Sequence, residues 1–149
     1  MLNPDYRDML SAFADAEVDY LVVGAYAMAA HGHPRATGDM DLWIRPSPEN
    51  AARVLRALSA FGAPLANVDQ NDFETPATVF QIGVSPRRID ILTSIEGVTF
   101  DEAWPQRMNV DIDRLTVPVI GRKHLIKNKR ALGRSQDMAD LERLLDDDS

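Results

Sequence analysis

The chain has 149 residues, of which 45% are hydrophobic and 26% charged, with no cysteine and a net charge of −7 from 16 basic and 23 acidic side chains. That is the size of one ordinary domain, long enough to bury about 70% of its unfolded surface. It excludes disulfides and thiolate zinc sites and argues against a general nucleic-acid coat. No apolar run reaches the length of a bilayer span, and Met1-Leu2-Asn3-Pro4-Asp5 lacks a basic-then-apolar leader, so no membrane contact and a cytoplasmic location are expected.

Asn3 followed by Pro4 reads as an N-cap and first helical position, and Tyr6, Met9, Leu10 and Phe13 recur at helical spacing, predicting an amphipathic helix over 4–16. The apolar run 19–23, ended by Gly24, predicts a buried strand. Residues 25–32 read as an alanine-rich helix stopped by Gly32 and Pro34. Residues 39–44 alternate as a strand, with Met40, Leu42 and Ile44 on the face suited to burial. Ser47-Pro48 repeats the cap signal before a helix carrying Ala51, Val54, Leu55, Leu58 and Phe61 and closed by Gly62. Residues 63–76 are polar and predict a loop, 78–84 and 88–93 a hairpin around Ser85-Pro86-Arg87, and 97–107 is ambiguous. A strand follows over 115–120 and a helix over 122–132, stopped by Gly133. Ser135 is expected to cap a last helix with Met138, Leu141 and Leu145 inward, and with Asp137 and Asp140 charging its first turn. With no repeat and no linker, residues 1–149 predict a single domain of the α/β (α+β) class, a mixed β-sheet flanked by helices with a helical C-terminus.

Gly24-Ala25, Asp39-Met40-Asp41 and Ile89-Asp90-Ile91 carry the chemistry. Asp39 and Asp41 are two apart, so on a strand both point to one face, about 7 Å apart along the chain. Two carboxylates about 4 Å apart repel by about 4 kcal/mol at an effective dielectric of about 20. A third, from Asp90, calls for a cation or for protonation, and hard oxygen ligands favour magnesium or manganese. Gly24 ends a strand and opens a helix, where backbone N–H groups favour an anionic group. Asp111-Ile112-Asp113 has the same spacing as the first pair but no glycine turn upstream.

These motifs, in this order, resemble the signature of the DNA polymerase β-like nucleotidyltransferase superfamily. The segments 22–28 and 35–41 resemble most its small bacterial members, the minimal nucleotidyltransferases and the abortive-infection type toxins. The run Leu125-Ile126-Lys127-Asn128-Lys129 with 133–141 is similar to the close of that group, so the resemblance covers residues 19–145. It implies a nucleotidyltransferase fold in which Asp39 and Asp41 bind two magnesium (or manganese) ions gripping a nucleoside triphosphate, ATP among the candidates. Asp90 would help bind the catalytic metal and activate the attacking hydroxyl. Gly24 and Ala25 would approach the phosphates. The acceptor is a hydroxyl on a protein, an RNA or a small molecule, and a homodimer or a protein partner would complete the site. A toxin–antitoxin or phage-defence role follows by analogy.

The basic residues Lys123, Lys127, Arg130 and Arg134 step by four, three and four, so on a helix they share a face. Lys127 is the first choice for the triphosphate, with Arg35 and Thr37 beside the carboxylates as further phosphate or metal-water contacts. His31 and His33 lack a third ligand for zinc, and Trp43 is expected either to wall the site or to pack in the core. The superfamily usually has Gly or Ser where this chain has Ala25. That feature favours a second reading, a catalytically silent binding module or antitoxin. A third is a metal-dependent phosphohydrolase.

Overall fold

The computed structural model describes residues 2–34 and 38–147. Arg35 and Thr37, expected beside the carboxylates, lie outside the described residues. In chain order the elements are α1 (Pro4–Asp15), β1 (Tyr20–Val23), α2 (Gly24–Ala30), β2 (Met40–Ile44), α3 (Pro48–Phe61), β3 (Val79–Ile82), β4 (Ile89–Leu92), α4 (Phe100–Ala103), β5 (Met108–Ile112), β6 (Leu115–Val119), α5 (Arg122–Leu132) and α6 (Ser135–Asp146). The fold is mixed α/β, as expected. Among the described residues its strands form one six-stranded sheet in the order β3-β4-β2-β1-β6-β5. β1 runs antiparallel to β2 and parallel to β6, while β2 runs parallel to β4. The hairpins β3–β4 and β5–β6 close the two edges.

Local chemistry accounts for the helix starts. The Asn3 side chain accepts from Tyr6 N–H at 3.0 Å with Pro4 in the first position, and the Ser47 hydroxyl accepts from Asn50 N–H at 3.3 Å ahead of α3. α1 turns Tyr6, Met9, Leu10 and Phe13 inward, and α3 turns Ala51, Val54, Ala57 and Leu58 inward. The two helices pack on each other, α1 also against β6, beside a sheet whose central strands are buried almost throughout. Burying one such large apolar side chain contributes about 1.5–3 kcal/mol. Among the described residues no helix is long and apolar enough to cross a membrane.

Five readings of the sequence are corrected or completed. The segment 108–112, noted in the sequence only for its acidic pair, is the edge strand β5, in which Met108, Val110 and Ile112 alternate with Asn109 and Asp111. Asp113 and Arg114 make its turn at positive φ. In α6 the inner face carries Asp137, Asp140, Leu141 and Leu144, whereas Met138 and Leu145 are 45% and 38% exposed. Ser135 is the first helical residue rather than the cap, and the Asp137 carboxylate instead accepts from Arg134 N–H at 3.2 Å. The ambiguous stretch contains α4 followed by a 3-10 turn over Trp104–Gln106, and the polar loop contains another, Gln70–Phe73, that buries Phe73.

Asn50 ties α3 to the strand entrances. Its side chain is 1% exposed, accepts from Asp19 N–H at 2.7 Å, and donates to the carbonyls of Asp19 and Arg45, each at 2.9 Å. Asn50→Ala leaves these backbone groups buried and unmatched. It is expected to lower unfolding free energy by about 2–4 kcal/mol in urea titrations; a loss under about 0.5 kcal/mol would show that water replaces the amide without penalty.

Candidate active site

The sheet register assembles the acidic group. Asp41 on β2 is the direct partner of Asp90 on β4, and neighbouring parallel strands at matched register present these side chains on one face about 4.8 Å apart. Asp39 lies one residue ahead of β2, on the same side as Asp41 by strand alternation. On the other flank Val23 is the antiparallel partner of Asp41, so the turn at Gly24 falls beside the carboxylates. Gly24 has φ +69°, and a Cβ there would collide with Asp41 Oδ2. Only glycine leaves that space open. Gly38 is constrained similarly, since its Cβ would overlap the carbonyl of Pro86. This close approach brings the β3–β4 turn onto Asp39, whose carboxylate accepts from the Ser85 hydroxyl at 2.8 Å and from Arg88 N–H at 3.1 Å.

Three carboxylates on one face need positive charge, and Arg88 supplies it. Its guanidinium forks onto both oxygens of Asp90, Nε to Oδ1 at 2.8 Å and Nη2 to Oδ2 at 3.2 Å, and Nη2 lies 3.5 Å from Asp39 Oδ2. Hydrogen bonding to Asp90 holds the Arg88 pKa above its ordinary value. Asp41 is left with the repulsion. Burial, then the Asp90 charge and hydrogen bond, then Asp39, push its carboxyl up to about 6, against a smaller opposing pull from Arg88. The donor set is all hard oxygen and short of positive charge, which is the chemistry of a magnesium or manganese site. Among the described residues no group of three or more His, Asp or Glu side chains is placed, as the side chains lie, so that it could hold a metal ion. With the fork in place, Asp90 faces Arg88.

These groups open into a cleft of about 580 Å³, large enough for one nucleotide-sized ligand. Gly24, Ala25, Asp39, Asp41, Arg88 and Asp90 line it together with Asn128, Lys129, Arg134 and Gln136 from α5, α6 and the turn between them. Lys129 is 3% exposed and sits 2.9 Å from Asp140 Oδ2 and 3.5 Å from Asp137 Oδ1. Arg134 pairs with Asp137 at 2.6 Å while its side chain stays 69% exposed. Burial would raise the Asp137 pKa, but the hydrogen bond and charge of Arg134, with Lys129, outweigh it and hold it below the ordinary range.

Gly24, Ala25, Asp39, Asp41 and Asp90 line one cleft, and Lys127 is not among the residues that line it. Lys127 Nζ pairs with Glu102 Oε1 at 2.8 Å, away from the cleft lining. Two residues on a helix turn a side chain through about 200°, so Lys129, rather than Lys127, faces the cleft. Arg134 reaches it from beyond the end of α5. Arg88 was also missed, although its spacing of two from Asp90 places both on one face of a strand. Trp43 is core: it is 1% exposed and packs edge to face on Phe100 at 5.1 Å. His31 donates to the Ile120 carbonyl at 2.8 Å and His33 pairs with Asp147 at 2.8 Å, so the two imidazoles serve separate contacts.

Neither a protein-family model nor a curated protein matches the chain in sequence. Solved structures match it over nearly its whole length. TM1012 from Thermotoga maritima, assigned as a nucleotidyltransferase, superposes with TM-score 0.61 at 18% identity, covering 99% of this chain and 96% of its own. The lincosamide antibiotic adenylyltransferase LnuA, lincomycin-bound, gives 0.59 at 11% identity over 96% of each chain. ANT(2″)-Ia in complex with adenylyl-2″-tobramycin gives 0.56 at 12% identity, over 93% of this chain and 84% of its own. The chain has the fold of the small nucleotidyltransferases. At these identities the likeness establishes architecture, and the chemistry is argued from the residues.

The Asp41 carboxyl titrates near 6 in the folded chain against 3.8 ordinarily. The folded state therefore binds the extra proton between those values, and this group's contribution to stability is present at low pH and lost as pH rises through about 6. Asp41→Asn imitates the protonated acid. In EDTA it should be more stable than the parent at pH 8 by up to about 3 kcal/mol, with the gain vanishing near pH 4. Equal or lower stability at pH 8 in thermal unfolding would contradict the repulsion.

Proposed function

We propose that the protein is a divalent-metal-dependent nucleotidyltransferase that moves a nucleoside monophosphate from a nucleoside triphosphate to a hydroxyl acceptor. The observation that carries this reading is the convergence of Asp39, Asp41 and Asp90 beside the Gly24 turn, in one cleft with Lys129 and Arg134. Asp39, Asp41 and Asp90 would hold magnesium or manganese. When bound, the metal supplies charge stabilisation for the attacking and leaving oxygens of an in-line displacement. In that reaction the acceptor oxygen bonds to the α-phosphorus, the bond to the departing pyrophosphate breaks, and the hydroxyl loses its proton.

The chain's own residues divide the remaining work. Gly24 lets backbone N–H groups of the β1–α2 turn approach the phosphates, and Ala25 offers its N–H without a hydroxyl. Arg134, exposed at the cleft, would fork onto phosphate oxygens, and Lys129, paired with Asp137 and Asp140 behind it, would hold Asp137 in place for it. Asp90, in register with Asp41, would take the acceptor proton once Arg88 is off it. Arg35 and Thr37 remain phosphate or metal-water candidates.

Two of the neighbours are held with lincomycin and with adenylyl-2″-tobramycin, which puts a small-molecule hydroxyl first among acceptors to test. A toxin–antitoxin or phage-defence role would instead supply a protein or RNA acceptor, and a partner chain or second copy to complete the site. Two features favour the second reading, a silent binding module: the missing hydroxyl at Ala25 and the Arg88 fork on Asp90.

Labelled triphosphates with magnesium, offered small aminoglycoside-like and lincosamide-like alcohols, total protein and total RNA, separate these readings by where the label goes. Transfer is expected, and Asp39→Asn with Asp41→Asn should reduce it by more than about a hundredfold; unchanged transfer in that pair would discard the site. Stabilisation by nucleotide with no transfer would favour the module. In calorimetry with a non-hydrolysable triphosphate, Arg134→Gln should weaken binding about tenfold, whereas Lys127→Gln should leave it unchanged. The opposite ranking would restore Lys127.

A further inference from the structure

Asp90 occupies an apolar strand, is 8% exposed, and has both oxygens taken by one guanidinium. A divalent cation bound by Asp90 would compete for those same oxygen lone pairs and would repel the guanidinium at contact distance. Arg88 also reaches Asp39 through Nη2 at 3.5 Å and through its backbone N–H at 3.1 Å. It therefore grips carboxylates on both sides of Asp41. Among the described residues the ion pairs to Asp39 and Asp90 both come from this side chain.

The backbone of Arg88 is anchored independently of its side chain. Its carbonyl accepts from Met40 N–H at 2.9 Å and from the Tyr6 hydroxyl at 3.1 Å. The side chain is 31% exposed and lines the cleft, so it can rotate off Asp90 toward an anion there without disturbing the strand.

We propose that Arg88 is a built-in placeholder cation, which holds Asp90 and Asp39 until a divalent ion displaces it, and so sets the metal affinity of the empty site. This rests on reading the three carboxylates as a metal site. Arg88 is on this account a positioning residue: it keeps the acids folded together while the cleft is empty, and its release makes metal uptake compete with an internal ion pair. Removing any cation so close to the acids tightens metal binding by charge alone. Displacement of the fork is therefore read from Arg88→Lys, which keeps the charge. A merely structural ion pair would leave metal affinity unchanged in that variant.

The test uses manganese alone, with no nucleotide, and counts free Mn2+ by electron paramagnetic resonance. Arg88→Gln should bind Mn2+ at least tenfold more tightly than the parent chain. Arg88→Lys keeps a positive charge but cannot fork onto both oxygens, and should tighten binding at least threefold. Circular dichroism checks folding, and Arg88→Lys carries the test should the glutamine variant unfold. Affinities equal to or weaker than the parent's, including no binding in any of the proteins, overturn the proposal. Tightened binding without nucleotide transfer would leave the placeholder role standing and remove the transferase reading. Transfer with unchanged metal affinity would do the reverse.

Discussion

The repulsion among Asp39, Asp41 and Asp90 governs the rest of this molecule. A sheet ordinarily spreads charge outward into water, yet here two neighbouring parallel strands put Asp41 and Asp90 in register, with Asp39 two residues upstream of Asp41. Holding them together takes the packing of β1, β2 and β4 behind them and the glycine at position 24, where any side chain would strike Asp41. It also takes the Arg88 fork in front. The penalty that remains falls on Asp41, whose carboxyl is pushed up first by burial and then by the charges of Asp90 and Asp39.

A second charged group lines the same cleft. Lys129 is buried between Asp137 and Asp140, and Arg134 shares Asp137. Removing one member of such a buried network leaves an uncompensated charge, so it fixes the packing of α5 on α6. One cleft is thus lined both by the carboxylates and by Lys129 and Arg134, whose charges are paired with Asp137 and Asp140. The same ion pairs that order the helices aim Arg134 at that space.

How far this was legible in the sequence depended on how local each signal was. Gly24, Asp39, Asp41 and Asp90 follow from strand alternation and one glycine turn, and the helix starts at Asn3-Pro4 and Ser47-Pro48 follow from capping. The second charged group was hidden because its acids sit where apolar residues were expected. Met138 and Leu145 lie at helical spacing from Leu141 and drew the inner face toward themselves. The true inner face is set by Asp137 and Asp140 reaching Lys129, a pairing eight and eleven residues away in sequence. That Lys129 rather than Lys127 lines the cleft was hidden in the same way, since neither position reveals its partner until the two helices are packed. Arg88 and β5 are marked in the sequence by alternation alone, a weaker signal than the acids beside them.

The central claim is that these three acidic side chains share divalent metal once Arg88 lets go. Crystals grown with a non-hydrolysable nucleoside triphosphate and Mn2+ test it most directly through anomalous scattering. The account predicts a manganese peak about 2.1 Å from carboxylate oxygens of Asp39, Asp41 and Asp90, with the Arg88 fork no longer on Asp90. Manganese bound elsewhere, or Arg88 still clasping Asp90 beside a bound triphosphate, would contradict it.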